Sequence, residues 1–113
     1  MHELSIMQSA LDQALEQARL AGARRVHEIH LRVGVLSGVV PEALQMAFEA
    51  LTAGTLADKA ALKVETVAAR FWCRDCHREF TAETIFGECP TCQRISPELR
   101  AGRELELASL EIT

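Results

Sequence analysis

Residues 73–92 read CRDCHREFTAETIFGECPTC and contain all the cysteines of this 113-residue chain: Cys73, Cys76, Cys89 and Cys92. Their spacing is C-x2-C-x12-C-x2-C. Two residues between paired cysteines let both sulfurs of a tight turn face one ion, and two such turns complete a tetrahedral thiolate site. Four thiolates leave no open coordination position, so the pattern predicts a structural Zn(II) and not a catalytic one.

Disulfides and redox chemistry are the alternative interpretations of these cysteines. Structural disulfides are typical of secreted chains, but the start Met1-His2-Glu3-Leu4 lacks the basic and apolar regions of a signal peptide. No apolar run is long enough to span a membrane. We therefore predict a cytoplasmic location, where paired cysteines hold metal. His77 follows Cys76 directly and is an alternative ligand by position, although a solvated turn residue is the simpler interpretation.

Composition and charge narrow the function classes. About half of the residues (49%) are apolar, which is enough for one domain with a small appendage, and the formal net charge is −4. An acidic balance argues against a nucleic-acid reader, which needs a basic face for phosphate. We therefore predict neither nucleic acid nor a membrane as a partner. No Ser-His-Asp set, phosphate-binding loop or dinucleotide-binding glycine pattern is present, so we predict no enzymatic activity.

Apolar periodicity predicts a first helix over the early residues. Apolar side chains recur at helical spacing from Leu4 to Ala18. Ser5 with Gln8 resembles a capping box, which predicts that the helix begins near Ser5. Gly22 suits its end, because glycine adopts the backbone conformation that terminates helices.

The remaining elements are a second helix and three strands. Pro41 suits the first position of the helix and Gly54 its end, with a buried stripe of Leu44, Ala47, Phe48 and Leu51. Alternating apolar residues predict strands at 26–36, 62–69 and 103–112. On the first strand, the predicted buried residues are Ile29, Leu31, Val33 and Val35. A phase slip in the last strand indicates a bulge or a change of the buried face.

These elements predict an α+β fold in which two helices cover one face of a three-stranded sheet. A four-cysteine zinc-ribbon module over residues 71–100 is inserted between the last two strands. The predicted domains are therefore 1–70 plus 101–113, and 71–100.

The amino terminus is a second candidate metal site. The Met1 amine, the following backbone amide and a His2 ring nitrogen can chelate one ion through fused small rings. Ni(II) and Cu(II) favour such planar nitrogen sets. A fourth position would come from the Glu3 amide or carboxylate, or from another group. The motif by itself does not name the metal.

The opening MHELSIMQS, residues 1–9, resembles the start of the HypA/HybF nickel-insertion proteins of hydrogenase maturation. Further stretches resemble the same family in order along the chain: 31–34 leading to 36–39, 41–44 with 47–48, 54–57, the cysteine quartet and 102–105. The chain departs from the family pattern at His77, where members often have glycine after the second cysteine.

The resemblance implies a nickel metallochaperone without catalytic activity. It implies that His2 is the side-chain nickel ligand, that the Met1 amine assists it, and that Glu3 belongs to the same motif. The four cysteines match the zinc ligands. The implied partners are a nickel-handling GTPase, the large-subunit precursor of a [NiFe] hydrogenase and, in some organisms, urease maturation proteins. The alternative function is a zinc-ribbon module that binds protein or nucleic acid without delivering nickel.

Overall fold

Two helices and eight strands follow one another along residues 2–82 and 86–113, which are the residues described by this computed structural model. They form three sheets with the strand orders β2-β1-β8, β4-β3-β7 and β5-β6. The α+β prediction and its three-stranded sheet are confirmed, with the cysteine segment between β2 and β8. The elements are α1 (His2–Leu20), β1 (Val26–Gly34), α2 (Pro41–Thr52), β2 (Ala61–Val67), β3 (Ala69–Cys73), β4 (Arg78–Ala82), β5 (Gly87–Glu88), β6 (Ile95–Ser96), β7 (Leu99–Ala101) and β8 (Leu105–Ile112).

The chain divides into two compact units. The first unit comprises Met1–Arg32, Val39–Glu65 and Glu106–Thr113. The second unit, which we call the cysteine unit, comprises Val33–Gly38 and Thr66–Leu105. The cysteine unit therefore combines the quartet with a short segment contributed by the end of β1 and the residues after it.

Helix α1 begins at His2, three residues before the predicted start. Ser5 Oγ donates to the carbonyl of His2 at 3.0 Å, and Gln8 Nε2 donates to Asp12 Oδ1 at 2.8 Å. Both side chains bond within the helix and neither forms the reciprocal pair of a capping box. The predicted capping box at Ser5 and Gln8 is therefore wrong, and His2 lies in the first turn of the helix.

Gly22 ends α1, as predicted. Its φ is +68°, its amide donates to the carbonyl of Arg19 at 3.0 Å, and the Ala23 amide donates to the carbonyl of Ala18 at 2.9 Å. These two bonds are the pair that defines a Schellman motif. The helix buries one stripe at helical spacing, which consists of Met7, Leu11, Ala14 and Ala18.

Helix α2 begins at Pro41, as predicted, and packs against α1. Val40 precedes it in an extended conformation and has no side chain that caps the helix. Leu51, predicted to be buried, is only half-buried, and Thr52 is buried in its place, together with Leu44, Ala47 and Phe48. Within the described residues, no helix is long and apolar enough to cross a bilayer.

Strand β1 is the central strand of the first sheet. Its predicted buried residues Ile29, Leu31 and Val33 are buried, whereas Val35 lies beyond the strand and is 45% exposed. Arg32 points to the opposite face. Its guanidinium donates to Glu65 on β2 at 2.7 Å and to Glu106 on β8 at 3.2 Å. One arginine thus links all three strands through opposite charges on neighbouring strands.

The phase slip predicted for the last strand falls at Leu107 and Ala108 of β8. These neighbours are both half-buried, whereas exposed and half-buried positions alternate from Ala108 to Ile112. The buried face of β8 therefore changes at this step.

Candidate metal centre

The first cysteine pair is carried by the β3–β4 hairpin. The strands are antiparallel, with Phe71 opposite Phe80 and Cys73 opposite Arg78. Strand alternation puts Ala69, Phe71 and Cys73 on one buried face. The rings of Phe71 and Phe80 stack with centroids 5.7 Å apart. Cys73 continues this apolar row, so sheet packing fixes the first sulfur.

The second cysteine pair lies in the turn that joins the short strands β5 and β6. The Cys89 amide donates to the carbonyl of Arg94 at 2.9 Å, and the Gln93 amide donates to the carbonyl of Cys89 at 2.8 Å. These bonds close a tight turn that contains Cys92. Gly87 precedes the turn, and a Cβ there would lie 2.5 Å from the Phe71 ring. Glycine at this position lets the second turn approach the hairpin core.

The four sulfurs come together in one cluster. All four lie within 4.8 Å of one another. The Cys73 and Cys92 sulfurs are 3.7 Å apart, and the Cys76 and Cys89 sulfurs are 3.9 Å apart. A tetrahedral zinc with Zn–S bonds of about 2.3 Å has sulfur–sulfur edges of about 3.8 Å. The donor set and its size therefore fit a structural zinc.

His77 is not part of this cluster. Within residues 2–82 and 86–113, no other group of three or more histidine, cysteine or acidic side chains is placed to hold a metal ion. The His77 ring instead meets the edge of Trp72, with ring centroids 6.4 Å apart. The four ligand atoms that the fold brings together all come from cysteines.

The cysteine thiols differ in acidity because their surroundings differ. The backbone amide of Cys92, followed by that of Thr91, lowers the pKa of Cys89 to about 6. Burial, followed by hydrogen bonding to the Cys73 thiol, raises the pKa of Cys76 to about 12. Cys89 therefore loses its proton more readily than an ordinary thiol, and Cys76 loses its proton less readily. A bound divalent cation supplies the positive charge that lets all four sulfurs be thiolates.

Each cysteine pair is followed by a residue in the left-handed conformation. His77 after Cys76 has φ +51°, and Gln93 after Cys92 has φ +61°. The first turn also directs the Cys76 amide at the Cys73 sulfur, with 3.4 Å between them. His77 therefore places a side chain in a backbone region that residues other than glycine rarely adopt.

We expect His77→Val to destabilise the cysteine unit by about 2 kcal/mol, because a β-branched side chain strongly disfavours this φ. His77→Asn should cost less than about 1 kcal/mol, since asparagine tolerates the left-handed region. Both variants should retain one zinc per chain. Urea denaturation with zinc analysis measures the two quantities, and loss of zinc in His77→Asn would show that His77 is a ligand after all.

The candidate nickel ligands lie at the start of α1. The His2 side chain is 58% exposed, and its Nδ1 lies 3.8 Å from Glu3 Oε2. The same carboxylate oxygen of Glu3 accepts a hydrogen bond from the Val40 amide at 3.3 Å. The backbone amide of Glu3 itself, followed by that of Val40, lowers the pKa of Glu3 from its ordinary value. Met1, the predicted source of the amine, lies outside the described residues.

The hydrogen bond between Glu3 and Val40 joins the first turn of α1 to the residue that precedes α2. Glu3 reaches the residue that precedes α2, 37 positions along the chain. Sequence reasoning named Glu3 from its motif but missed Val40. No local pattern marks Val40, because its contribution is a backbone amide that any residue other than proline carries.

Comparison with known proteins covers almost the whole chain. The family described as "Hydrogenase/urease nickel incorporation, metallochaperone, hypA" matches residues 1–112. A protein named "Hydrogenase maturation factor HypA" from Picosynechococcus sp. is 44% identical over 112 residues, which cover 99% of each chain. A protein of the same name from Rhizobium leguminosarum bv. viciae is 43% identical, with the same coverage.

Two solved structures resemble this fold at 25% sequence identity. A solution structure of the Ni metallochaperone HypA from Helicobacter pylori has a TM-score of 0.67, covering 97% of this chain and 96% of that chain. A solution structure of a HypA protein has a TM-score of 0.71, covering 100% of this chain and 97% of that chain. The match over residues 1–112, the curated relatives and the four-cysteine cluster agree: the chain belongs to the HypA family of nickel-incorporation metallochaperones.

Proposed function

We propose that this chain binds one Ni(II) ion at its amino terminus and delivers it to a [NiFe] hydrogenase precursor during maturation. His2 supplies a ring nitrogen, Met1 supplies its amine, and Glu3 is the neighbouring carboxylate. The observation that carries the proposal is the position of His2 in the ordered first turn of α1, where Glu3 is held by Val40.

A helix start suits a metal that binds backbone nitrogen. The first amides of an α-helix have no acceptor within the helix. An ion that takes the His2 amide nitrogen therefore breaks no helical hydrogen bond. Ni(II) favours such nitrogen sets. The exposed His2 ring is also accessible to an acceptor protein, which can replace the ligands one at a time.

Zn(II) at the quartet has a structural role in this proposal. Residues 71–100 form the zinc module, and residues 1–70 with 101–113 form the nickel-binding domain. The partners are a nickel-handling GTPase and the hydrogenase large-subunit precursor, with urease maturation proteins as further partners in hosts that have urease. The cytoplasm suits this role, since four cysteine thiols stay reduced there.

Metal stoichiometry on protein with a native, untagged terminus tests the proposal. We expect one zinc and one exchangeable nickel per chain. His2→Ala should weaken nickel binding by more than the roughly 10- to 100-fold that substitutions outside the ligand set cost, while zinc content and helix content stay unchanged. His27→Ala is the matched control, because His27 is exposed on β1 and its Nε2 lies 2.8 Å from the Thr113 hydroxyl oxygen.

Unchanged nickel affinity and stoichiometry in His2→Ala would refute this site. Blocking the terminal amine should reduce nickel binding in the same way as His2→Ala, because the amine must be unprotonated and free to bind. A loss seen equally in His27→Ala would instead indicate a general effect on the fold.

A further inference from the structure

Helix α2 carries an exposed methionine between two glutamates on its outward face. The helical period puts Glu42, Met46 and Glu49 on the side opposite the buried stripe. Met46, in the middle of the helix, is 73% exposed, and Ala50 beside it is exposed as well. A surface helix normally carries charged and polar side chains on this side, so a large exposed methionine in its middle stands out.

The charges on this outward face have a single sign. Glu42 and Glu49 are exposed, and their carboxylates form no hydrogen bond or ion pair with the described residues. Helix α2 contains no lysine, arginine or histidine. Together α1 and α2 carry five acidic side chains and one arginine, which equals the net charge of −4 of the whole chain. The negative potential is therefore concentrated on the two helices.

One of these carboxylates lowers the stability of the free protein. Glu49 lies in the last turn of α2, where a negative charge opposes the helix dipole and no basic residue compensates it. An exposed methionine between unpaired carboxylates gains nothing for the isolated fold. Features that break the local rules in this way are expected at functional surfaces.

We propose that the outward face of α2, formed by Glu42, Met46, Ala50 and Glu49, is the surface on which a partner protein docks. The partner presents basic side chains around an apolar contact. Carboxylates on the rim repel nucleic acid and anionic membranes, which leaves a basic protein surface as the complementary partner. A flexible, polarizable methionine adapts to such a contact. The inference rests on the proposed nickel delivery, because a carrier must contact its acceptor.

The position of this surface suits delivery. Helix α2 begins directly after Val40, whose amide holds the Glu3 carboxylate beside His2. Both the candidate nickel ligands and the outward face of α2 belong to the first unit. A partner seated on α2 therefore binds the same compact unit that holds the cargo.

Binding measurements with two purified probes test the surface: the nickel-handling GTPase and the hydrogenase large-subunit precursor of the same host. The test variant is Glu42→Lys/Glu49→Lys. The control is Glu79→Lys/Glu111→Lys, which changes the net charge equally at exposed carboxylates outside the helices. We expect the test variant to lose at least about tenfold in affinity for one probe, and the control to stay within about twofold.

Two further measurements separate the electrostatic part of the contact from its apolar part. Wild-type affinity should fall as ionic strength rises from about 30 to about 300 mM, and the test variant should lose this dependence. Met46→Gln should weaken binding by about fivefold at both salt concentrations. The substitution removes apolar contact area but changes neither the charge nor, to any large extent, the helix propensity. Glu49→Lys alone should raise the melting temperature, and an unchanged helix content of the test variant itself excludes unfolding as the cause of lost binding.

The proposal is overturned if neither probe binds the wild type, or if the test variant binds as the control does. Nickel stoichiometry is measured on the same samples. A test variant that binds nickel normally but no longer binds the partner supports the outward face of α2 as the docking surface. Absent nickel binding in the wild type refutes the proposed function, and the affinities still report separately on the surface.

Discussion

Cys89→Ser is expected to release zinc and unfold the cysteine unit. Cys89 is 1% exposed and belongs to a small core of Ala69, Phe71, Cys73, Phe80 and Cys89. Two of these five core residues are cysteines of the quartet, so the core of the unit is small apart from the candidate metal site. For sites of this kind the binding free energy of zinc is largely folding free energy, with apparent values of about 10–16 kcal/mol. A hydroxyl does not replace the thiolate.

Zinc analysis and near-ultraviolet circular dichroism measure this outcome. Zinc per chain should fall from about one to near zero, and the dichroism of Trp72 in β3 should collapse. Thr91→Ala is the matched control, because Thr91 is exposed in the same turn and contributes its backbone amide. Full zinc retention in Cys89→Ser, or fewer than four sulfur neighbours at the zinc absorption edge of the wild type, would contradict the closed four-thiolate site.

Gly34→Ala is expected to destabilise the cysteine unit by at least about 3 kcal/mol, the upper end of the range for overpacking. A Cβ at Gly34 would lie 2.1 Å from both the carbonyl carbon and the oxygen of Gly102. These are backbone atoms, and the segment cannot shift easily. The Gly34 amide donates to Glu104 at 2.8 Å, and the Leu36 amide donates to Gly102 at 2.7 Å. Relieving the overlap therefore breaks these bonds.

Gly38→Ala is the matched control in the same segment. Gly38 has φ +79° and open space where a Cβ would stand, so alanine incurs only the backbone penalty of about 1–2 kcal/mol. Urea denaturation followed by Trp72 fluorescence compares the two variants. Equal costs would show that the close approach of Gly34 and Gly102 does not determine stability.

The sequence was most informative where a local rule matched the fold. Helical spacing located the buried stripe of α1, and Pro41 marked the start of α2. Gly22 marked the end of α1. The cysteine spacing predicted a closed quartet because two tight turns are needed to aim four sulfurs at one point, and the sulfurs do converge.

The structure differs from the predictions where contacting residues are far apart in the sequence. Ser5 suggested a helix start, but Glu3 meets Val40 from 37 positions away and the helix extends to His2. The sequence around Gly34 does not predict that Gly102 lies against it in space. The left-handed conformation of His77 was also not predicted, because sequence rules assign that conformation to glycine.

The bond between Glu3 and Val40 also bears on how the helices form. Val40 has no capping side chain, so the Glu3 carboxylate from α1 bonds to the residue at which α2 starts. That bond cannot form while the intervening chain is still unfolded. The starts of α1 and α2 should therefore open and close as one cooperative unit in native-state hydrogen exchange. A substitution at residue 3, in α1, should then lower the hydrogen-exchange protection of the amides of residues 40–44, at the start of α2.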